Sequence, residues 1–555
     1  MGVPGFFLWL LKNHKKDKFI YDNIENIDAL MLDANCMLHP QCFKILDLYK
    51  DNLSMDFDKL EDKMISQCLQ YLNYIFRCIK PTKLIYIAID GVAPVAKIKQ
   101  QRMRRFKSVK TNTLFNNIKR KYKKPQNLFW NNSAITPGTK FMSKLTNKII
   151  LFLKKLNLDN VKILFSTAYE AGEGEHKILQ YIKNNKNNYK YAIYGLDADL
   201  IFLSLSIHSN QIFLLREENQ ISKETSEKLQ YVSIDVLKNC IINKMGILID
   251  EEIELDKIKI INDFIFICYF LGNDFLPHIP SIDIKCYNKK SINGLDLLLQ
   301  AYCSVFKELK EYIIQNEETV KYNTIFLQKF FEYLSSFENN FFRNLYSSKK
   351  RYYKCRSADK YDQEMHRIDN LYFKIQDDIE LGKDTPENWK FRYYKKNYFC
   401  ETNQYDFVQI ACNNYFEGLL WVANYYFKEC CSWNWFYKFD HAPFISDMAV
   451  YFKKFNMKNV KFELGKSLNP TTQLLSVLPP QSKYLLPKNV RHLMISFKSP
   501  IIYLYPIDYE LDMLYKRKYW ECIPILPALE IETIKKIVND NGYKIKNEFK
   551  GLYIF

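Results

Sequence analysis

Three short apolar runs in the first two hundred residues end in aspartate: "ALMLDA" (29–34), "LIYIAID" (84–90) and "YAIYGLDAD" (191–199). A fourth run of the same kind, "VKILF", spans 161–165. Uninterrupted apolar runs of this length suit strands buried on both faces, the situation inside a parallel sheet. Helical patterns lie between them, at 57–80, 96–124, 141–156 and 173–185. That rhythm predicts an α/β fold with a mostly parallel, doubly wound sheet flanked by helices. In such a sheet the carboxyl ends of the strands line the crevice where ligands bind. Asp33, Asp90, Asp197 and Asp199 are therefore expected on that crevice. A single aspartate there is usually only the cap of the next helix, so the weight rests on the set.

Further along, residues 301–345 read as helical. The stretch from Ser347 to Phe399 turns polar and rich in Lys and Tyr, as an irregular surface connection would be. A denser apolar pattern resumes at 405. The chain thus divides into a segment 1–345, a polar connection 346–404 and a second segment 405–555, without internal repeats.

More acids join the strand-end aspartates. Glu173 and Glu175 sit among glycines in "EAGEGEHK" (170–177), entering a helix, and Asp274 lies in "LGNDFLPH". Seven converging carboxylates would repel strongly: two unit charges about 4 Å apart cost about 4 kcal/mol at an effective dielectric of about 20. Hard divalent cations relieve that repulsion. Mg²⁺ or Mn²⁺ prefers oxygen ligands, and a pair of ions can clamp both sides of a phosphodiester. Small glycine neighbours would let a phosphate approach. The competing reading is that these acids lie apart in space.

Directly after Asp90 comes "DGVAPVAKIKQQRMRRFKS". Pro94 suits the start of a helix, and at ~100° per residue Lys97, Gln101, Arg104, Arg105 and Ser108 fall on one stripe. Such a face could grip a terminal phosphate, or simply be a solvated basic helix. The chain carries 80 Lys+Arg against 62 Asp+Glu, a net charge of +18, which fits a polyanionic partner. The 14 cysteines form no CxxC pair, against zinc or disulfide frameworks and for a reducing compartment. No apolar run is long enough to span a bilayer and no signal peptide is evident, so a cytoplasmic protein is expected. His39 follows Asp33 by six residues, and "CCSWNWFY" holds Trp433 and Trp435; such rings can stack on a base.

Taken together, these motifs resemble the Xrn-type 5′→3′ exoribonucleases. The likeness runs through "MGVPGFF", "LDANCMLH", "AIDGVAPVAKIKQQRMRRFK", "ITPGTKFM", "GEGEHKI", "YGLDADLI", "LLREE" and "DFIFICYFLGNDFLPH". It continues in "NWKFRYYKKNYF" (388–399), "YFEGLLWVANYYF", "CSWNWFYKFDHAPF", "LLSVLPPQSKYLLP" and "KRKYWECIPILP", in the family's order over most of the chain. The resemblance implies a PIN/flap-nuclease-like core with a largely helical C-terminal segment, 405–555, packed on it to complete one catalytic core. It implies that Asp33, Asp90, Glu173, Glu175, Asp197, Asp199 and Asp274 hold two Mg²⁺, with Mn²⁺ as a substitute. It likewise implies that Lys97, Gln101, Arg104 and Arg105 bind a 5′-monophosphate, and that a base stacks between His39 and either Trp433 or Trp435.

The activity implied is processive 5′→3′ degradation of uncapped or decapped single-stranded RNA to mononucleotides, as in mRNA decay, by a monomer, with decapping factors as candidate partners. Cys36 stands where members usually have Gly, Ala34 replaces Met, Val95 replaces Arg and Ala171 replaces Pro; none of these removes a metal or phosphate residue. The long C-terminal extension and CCHC knuckle of some members are not in this sequence, so a minimal form is expected. The rival readings are a flap or gap endonuclease with the same acidic crevice, and an inactive RNA-binding scaffold.

Overall fold

The apolar runs do become strands. The computed structural model describes residues 5–13, 18–126, 128–158, 160–185, 187–195, 198–208, 211–217, 228–249, 254–284, 292–316, 319–348, 354–398, 404–545 and 548–555. In chain order the strands are β1 (Ile20–Tyr21), β2 (Ala29–Asp33), β3 (Leu84–Ala88), β4 (Lys162–Ser166), β5 (Tyr191–Tyr194), β6 (Ile212–Glu217) and β7 (Leu229–Ser233). They are followed by β8 (Ile314–Asn316), β9 (Val320–Tyr322), β10 (Leu511–Asp512), β11 (Ile523–Pro524) and β12 (Leu552–Ile554). The helices used below are α1 (Phe6–Asn13), α2 (Ala34–Leu48), α3 (Phe57–Ile79), α4 (Val95–Lys121), α5 (Lys140–Lys155), α6 (Gly174–Asn184) and α7 (Ala198–Leu205). The architecture is α/β, with a mostly parallel sheet flanked by helices.

The chain forms two compact units. Unit I comprises Ile27–Lys177, Arg351–Asp377 and Lys466–Phe555. Its strands run in the order β2–β3–β4–β12. Every residue of β2 and β3 is buried, which explains their unbroken apolar sequences. β2 and β3 pair in parallel from Ala29↔Leu84 to Asp33↔Ala88, so their carboxyl ends finish level. β4 pairs in parallel with β3. Helices α3 and α5 are held by Asp56 and Thr139, whose side chains accept from backbone N–H groups of the first turn. Each buries one apolar stripe, for example Leu60, Met64, Cys68, Leu72 and Ile75 of α3.

β12 is a strand the sequence did not announce. It lies antiparallel on β4, with Leu552↔Ser166 and Ile554↔Leu164, and Ile163 and Phe555 exchange backbone hydrogen bonds of 3.0 and 2.9 Å. Three apolar residues have no readable period; only their partner makes them a strand.

Unit II comprises Met1–Asn26, Ile178–Lys350 and Asp378–Gly465. Its strands run β1–β7–β6–β5, with β5 and β6 parallel and the other pairs antiparallel. Its helical part is built on aromatic contacts among Phe270, Phe330, Phe331, Phe416 and Phe452. Within 301–345, where a helical stretch was expected, the hairpin β8–β9 separates the helices Gly294–Leu309 and Thr324–Ser347. Its anchor is the buried Asp263 carboxylate, which accepts from the Ile313 and Ile314 N–H groups at 2.7 and 2.8 Å and from the Tyr302 hydroxyl at 2.8 Å.

The polar stretch after Ser347 also differs from an irregular surface connection. It contains helices Lys360–Asp369 and Pro386–Tyr398, and the second buries Trp389, Tyr393, Tyr394 and Tyr398. The tyrosine hydroxyls reach polar partners: Tyr393 donates to Ala442 O, Tyr398 to His441 O and Tyr394 to the Asp447 carboxylate. A high Lys and Tyr content thus concealed a buried aromatic row.

Candidate active site

Unit I carries most of the residues singled out in the sequence. β2 ends at Asp33, and Asp90 lies two residues past the end of β3, so parallel pairing brings both carboxylates to one edge of the sheet. Asn35 ties them together. Its side-chain amide donates to Asp90 Oδ2 at 2.7 Å, and its Oδ1 accepts from the Asp90 backbone N–H at 3.3 Å. Asp33 also caps α2, accepting from Asn35 N–H at 3.2 Å, while the Cys36 thiol donates to its other oxygen at 2.9 Å. Asp33 is thus a helix cap, and the same carboxylate lies beside Gly174 at the edge shared with Asp90.

The "EAGEGEHK" loop closes over this pair. Gly91 N–H donates to Gly172 O at 2.8 Å and Gly172 N–H to Val92 O at 2.9 Å, and Gly172 has φ +106°, a conformation that favours glycine. Gly174 N–H, at the start of α6, donates to Asp90 Oδ1 at 2.7 Å. A Cβ on Gly174 would meet Asp33 Oδ1 at 2.8 Å, Ala88 O at 3.0 Å and Asp90 Oδ1 at 3.4 Å. The space left by this glycine is therefore taken by the chain's own carboxylates and backbone, where the sequence suggested room for a phosphate. Glu173 is 5% exposed and forms an ion pair with Lys97, itself 9% exposed. Glu175 follows in the first turn of α6, half-buried.

Burial raises the Asp90 carboxyl above its ordinary range, and repulsion from Glu173 adds to the rise; Gly174 N–H, Lys97 and Lys177 act against it. Lys177 is buried beneath the loop, donating to Ile89 O at 2.8 Å and Thr167 O at 3.1 Å. Burial pushes it down to about 8. Lys177 and Asn35 are site residues the sequence reading missed. Both lie close to the acids in sequence: Asn35 follows Asp33 by two residues, and Lys177 follows Glu175 by two.

Helix α4 leaves the same strand end. On its predicted stripe, Lys97 and Gln101 are buried, Arg105 is half-buried and Arg104 is exposed. Arg105 donates to Thr136 Oγ1 at 2.8 Å, and its other terminal nitrogen is buried without a hydrogen-bond partner. Burial, then repulsion from Arg104, lowers the Arg105 guanidinium to about 9, still cationic at neutral pH. Arg104 makes no hydrogen bond or ion pair among the described residues. Gln473 donates to Gln101 Oε1 at 3.5 Å. His39 is half-exposed on α2.

In unit II, Asp199 is buried in the first turn of α7 and Asp274 is half-buried in the turn after Gly272. Asp197 lies outside the described residues. Trp435 stacks on Trp421, with ring centroids 5.4 Å apart, and Trp421 stacks in turn on Tyr425 at 5.0 Å. The half-exposed Trp433 has no ring contact or side-chain hydrogen bond among the described residues.

The donor set around Gly174 suits a hard divalent cation: close, buried carboxylate oxygens, with Lys97 paired to Glu173. Among the described residues, no group of three or more His, Cys, Asp or Glu side chains forms a ready metal cage. Asn35, Cys36, Gly174 and Lys97 occupy carboxylate oxygens that a metal would use.

Residues 1–218 match the family described as XRN 5′-3′ exonuclease N-terminus, and residues 253–371 and 355–548 match the Xrn1 helical domain. The chain belongs to the Xrn exonuclease family. This Xrn-family chain is 31% identical to human 5′-3′ exoribonuclease 1 over 99% of its own length and 34% of the relative's. It is 29% identical to 5′-3′ exoribonuclease 2 of Arabidopsis thaliana, over 99% of this chain and 68% of that protein. It therefore spans about a third of the human relative. Among solved structures, the catalytic core of Rad2 in complex with a DNA substrate aligns over 70% of this chain and 85% of that one, at TM-score 0.30 and 11% identity, too distant to bear on function. No disulfide joins the described cysteines, and no described helix is long and apolar enough to cross a membrane.

Proposed function

We propose that this chain is a processive, Mg²⁺-dependent 5′→3′ exoribonuclease that degrades single-stranded RNA bearing a 5′-monophosphate and releases mononucleotides. Uncapped and decapped transcripts are its natural substrates, and mRNA decay in the cytoplasm is its setting. The observation that carries this reading is the junction at Glu173 and Lys97: a buried carboxylate cluster meets, through one ion pair, a helix face with an unsatisfied buried guanidinium. Family membership supports the direction of attack.

Asp33, Asp90, Glu173 and Glu175 would hold the metal, and the resemblance assigns Asp197, Asp199 and Asp274 the same role. When bound, two Mg²⁺ would supply Lewis acidity toward the phosphodiester oxygens and a more acidic water, and Mn²⁺ would substitute. The chain's own groups do the rest. Lys97, Gln101, Arg104 and Arg105 bind the 5′-phosphate by charge-assisted bonds. Asn35 and Gly174 fix the orientation of Asp90. His39 offers a ring for the first base, and Trp433 is the better tryptophan for that task, because Trp435 is committed to the internal stack on Trp421. A triphosphate or cap is too large and too charged for a face built around one phosphate.

The deciding assay uses end-labelled RNA with a 5′-monophosphate or a 5′-triphosphate, with and without Mg²⁺. Mononucleotide release from the monophosphate end only, lost on chelation, is expected. Equal attack on both ends would overturn the pocket, and internal cuts in 5′-blocked branched DNA would point to a flap endonuclease.

A further inference from the structure

Lys97 is expected in the phosphate pocket, yet its ammonium lies on Glu173 Oε1, one of the oxygens expected to bind metal. Both side chains are buried, so neither charge can turn to water instead. One carboxylate oxygen cannot serve the ammonium and a divalent cation fully at once. We propose that Lys97 is a shared positioning residue that couples the two halves of the site: a divalent ion on Glu173 displaces Lys97 toward the 5′-phosphate, so metal and phosphate bind cooperatively. This rests on the function proposed above, and it adds a sign to it. Lys97 competes with the metal for Glu173 and assists the phosphate.

The helix geometry favours such an exchange. Lys97 lies in the first turn of α4 and Gln101 one turn on, so a lysine released from Glu173 stays on the face that carries Gln101 and Arg105. Arg105 is held by Thr136 and Gln101 by Gln473, whereas Lys97 pairs with a carboxylate. The mechanism also accounts for the burial of the pair. In a water-filled site the ammonium would be solvated after displacement and no preference for phosphate would result.

The sign makes the idea testable by binding alone. Adenosine 5′-monophosphate serves as the probe, adenosine as its phosphate-free control, and Mn²⁺ as the metal, all titrated calorimetrically against the full chain. In the unmodified protein, saturating Mn²⁺ should tighten nucleotide binding about fivefold or more, and the nucleotide should tighten Mn²⁺ binding by the same factor. Adenosine should show no such linkage. Lys97→Met should weaken nucleotide binding, tighten Mn²⁺ binding several-fold and abolish the coupling. A lysine that merely supports the fold would weaken both ligands when lost. Glu173→Gln provides the second arm: without metal, it should bind the nucleotide as tightly as the unmodified protein does with Mn²⁺. Weaker Mn²⁺ binding in Lys97→Met, or unchanged metal-free nucleotide binding in Glu173→Gln, would overturn the coupling. If the unmodified chain binds neither Mn²⁺ nor the nucleotide, the nuclease reading itself has failed.

Discussion

The two faces of helix α4 carry the same kind of residue and live in different surroundings. One face presents Lys97, Gln101, Arg104 and Arg105. The other presents Arg102, Lys107 and Lys110, and each of these is tied to the chain's own C-terminal segment. Arg102 is 2% exposed, lies over the Phe106 ring and donates to Ser476 O at 3.1 Å and to Leu504 O. Lys107 donates to Cys522 O at 2.6 Å and to Trp520 O; Lys110 pairs with Asp508 at 2.9 Å. Arg102 and Arg105 each keep one buried guanidinium nitrogen unsatisfied, but Arg102 spends its two terminal nitrogens on backbone carbonyls, whereas Arg105 meets a single side-chain hydroxyl and Arg104 faces solvent. Charge therefore does not separate an arginine proposed to bind ligand from a structural one. The acceptors around it do.

Four measurements test that division. The largest effect should come from Arg102→Met, which strands two buried carbonyls at about 1–3 kcal/mol each, so urea unfolding should show a loss of at least about 2 kcal/mol. A smaller loss would mean this face is not the structural one. Arg105→Ala should unfold nearly as the unmodified chain does, yet its kcat/KM on 5′-monophosphate RNA should fall roughly 10–100-fold, the worth of one charge-assisted hydrogen bond. For the exposed Arg104, replacement by alanine should cost only several-fold in the same assay, visible mainly as weaker preference for monophosphate over triphosphate ends.

The smallest effect is a pH slope. Burial lowers Lys107 to about 8, below the ordinary lysine value of 10.5. Between those limits the unfolded chain binds the extra proton, so this lysine makes stability rise with pH. The urea midpoint of the unmodified chain should gain on that of Lys107→Met between pH 8 and about 10. A gap that narrows would break the assignment.

Much of this was legible in advance, for reasons visible in particular residues. Strands β2 to β5 and helices α3 to α6 follow from apolar runs and periodicity, because local sequence and burial agree there. Asp33, Asp90 and Glu173 were readable as a set because a parallel sheet brings its carboxyl ends together. The role of Arg102, a near neighbour of Arg104 and Arg105, was not. Helical periodicity set Arg102 apart, but the carbonyls that define its role, on Ser476 and Leu504, lie 374 and 402 residues away. Asn35 gave no signal of its role, because the Asp90 it bonds lies 55 residues away. The helix Pro386–Tyr398 was hidden by lysines at its surface, and β12 by its brevity.

That last strand has a consequence for how the protein is made. Thr167, just past β4, bonds to Lys550, 383 residues further on. At about 5–20 residues per second, a ribosome needs roughly 20–80 s to cover that distance. Throughout that interval the outer edge of β4 emerges into the cell uncovered, a template for unwanted pairing. Folding of unit I is thus exposed to aggregation until Leu552–Ile554 have been made, and a chaperone holding that edge would shorten the hazard.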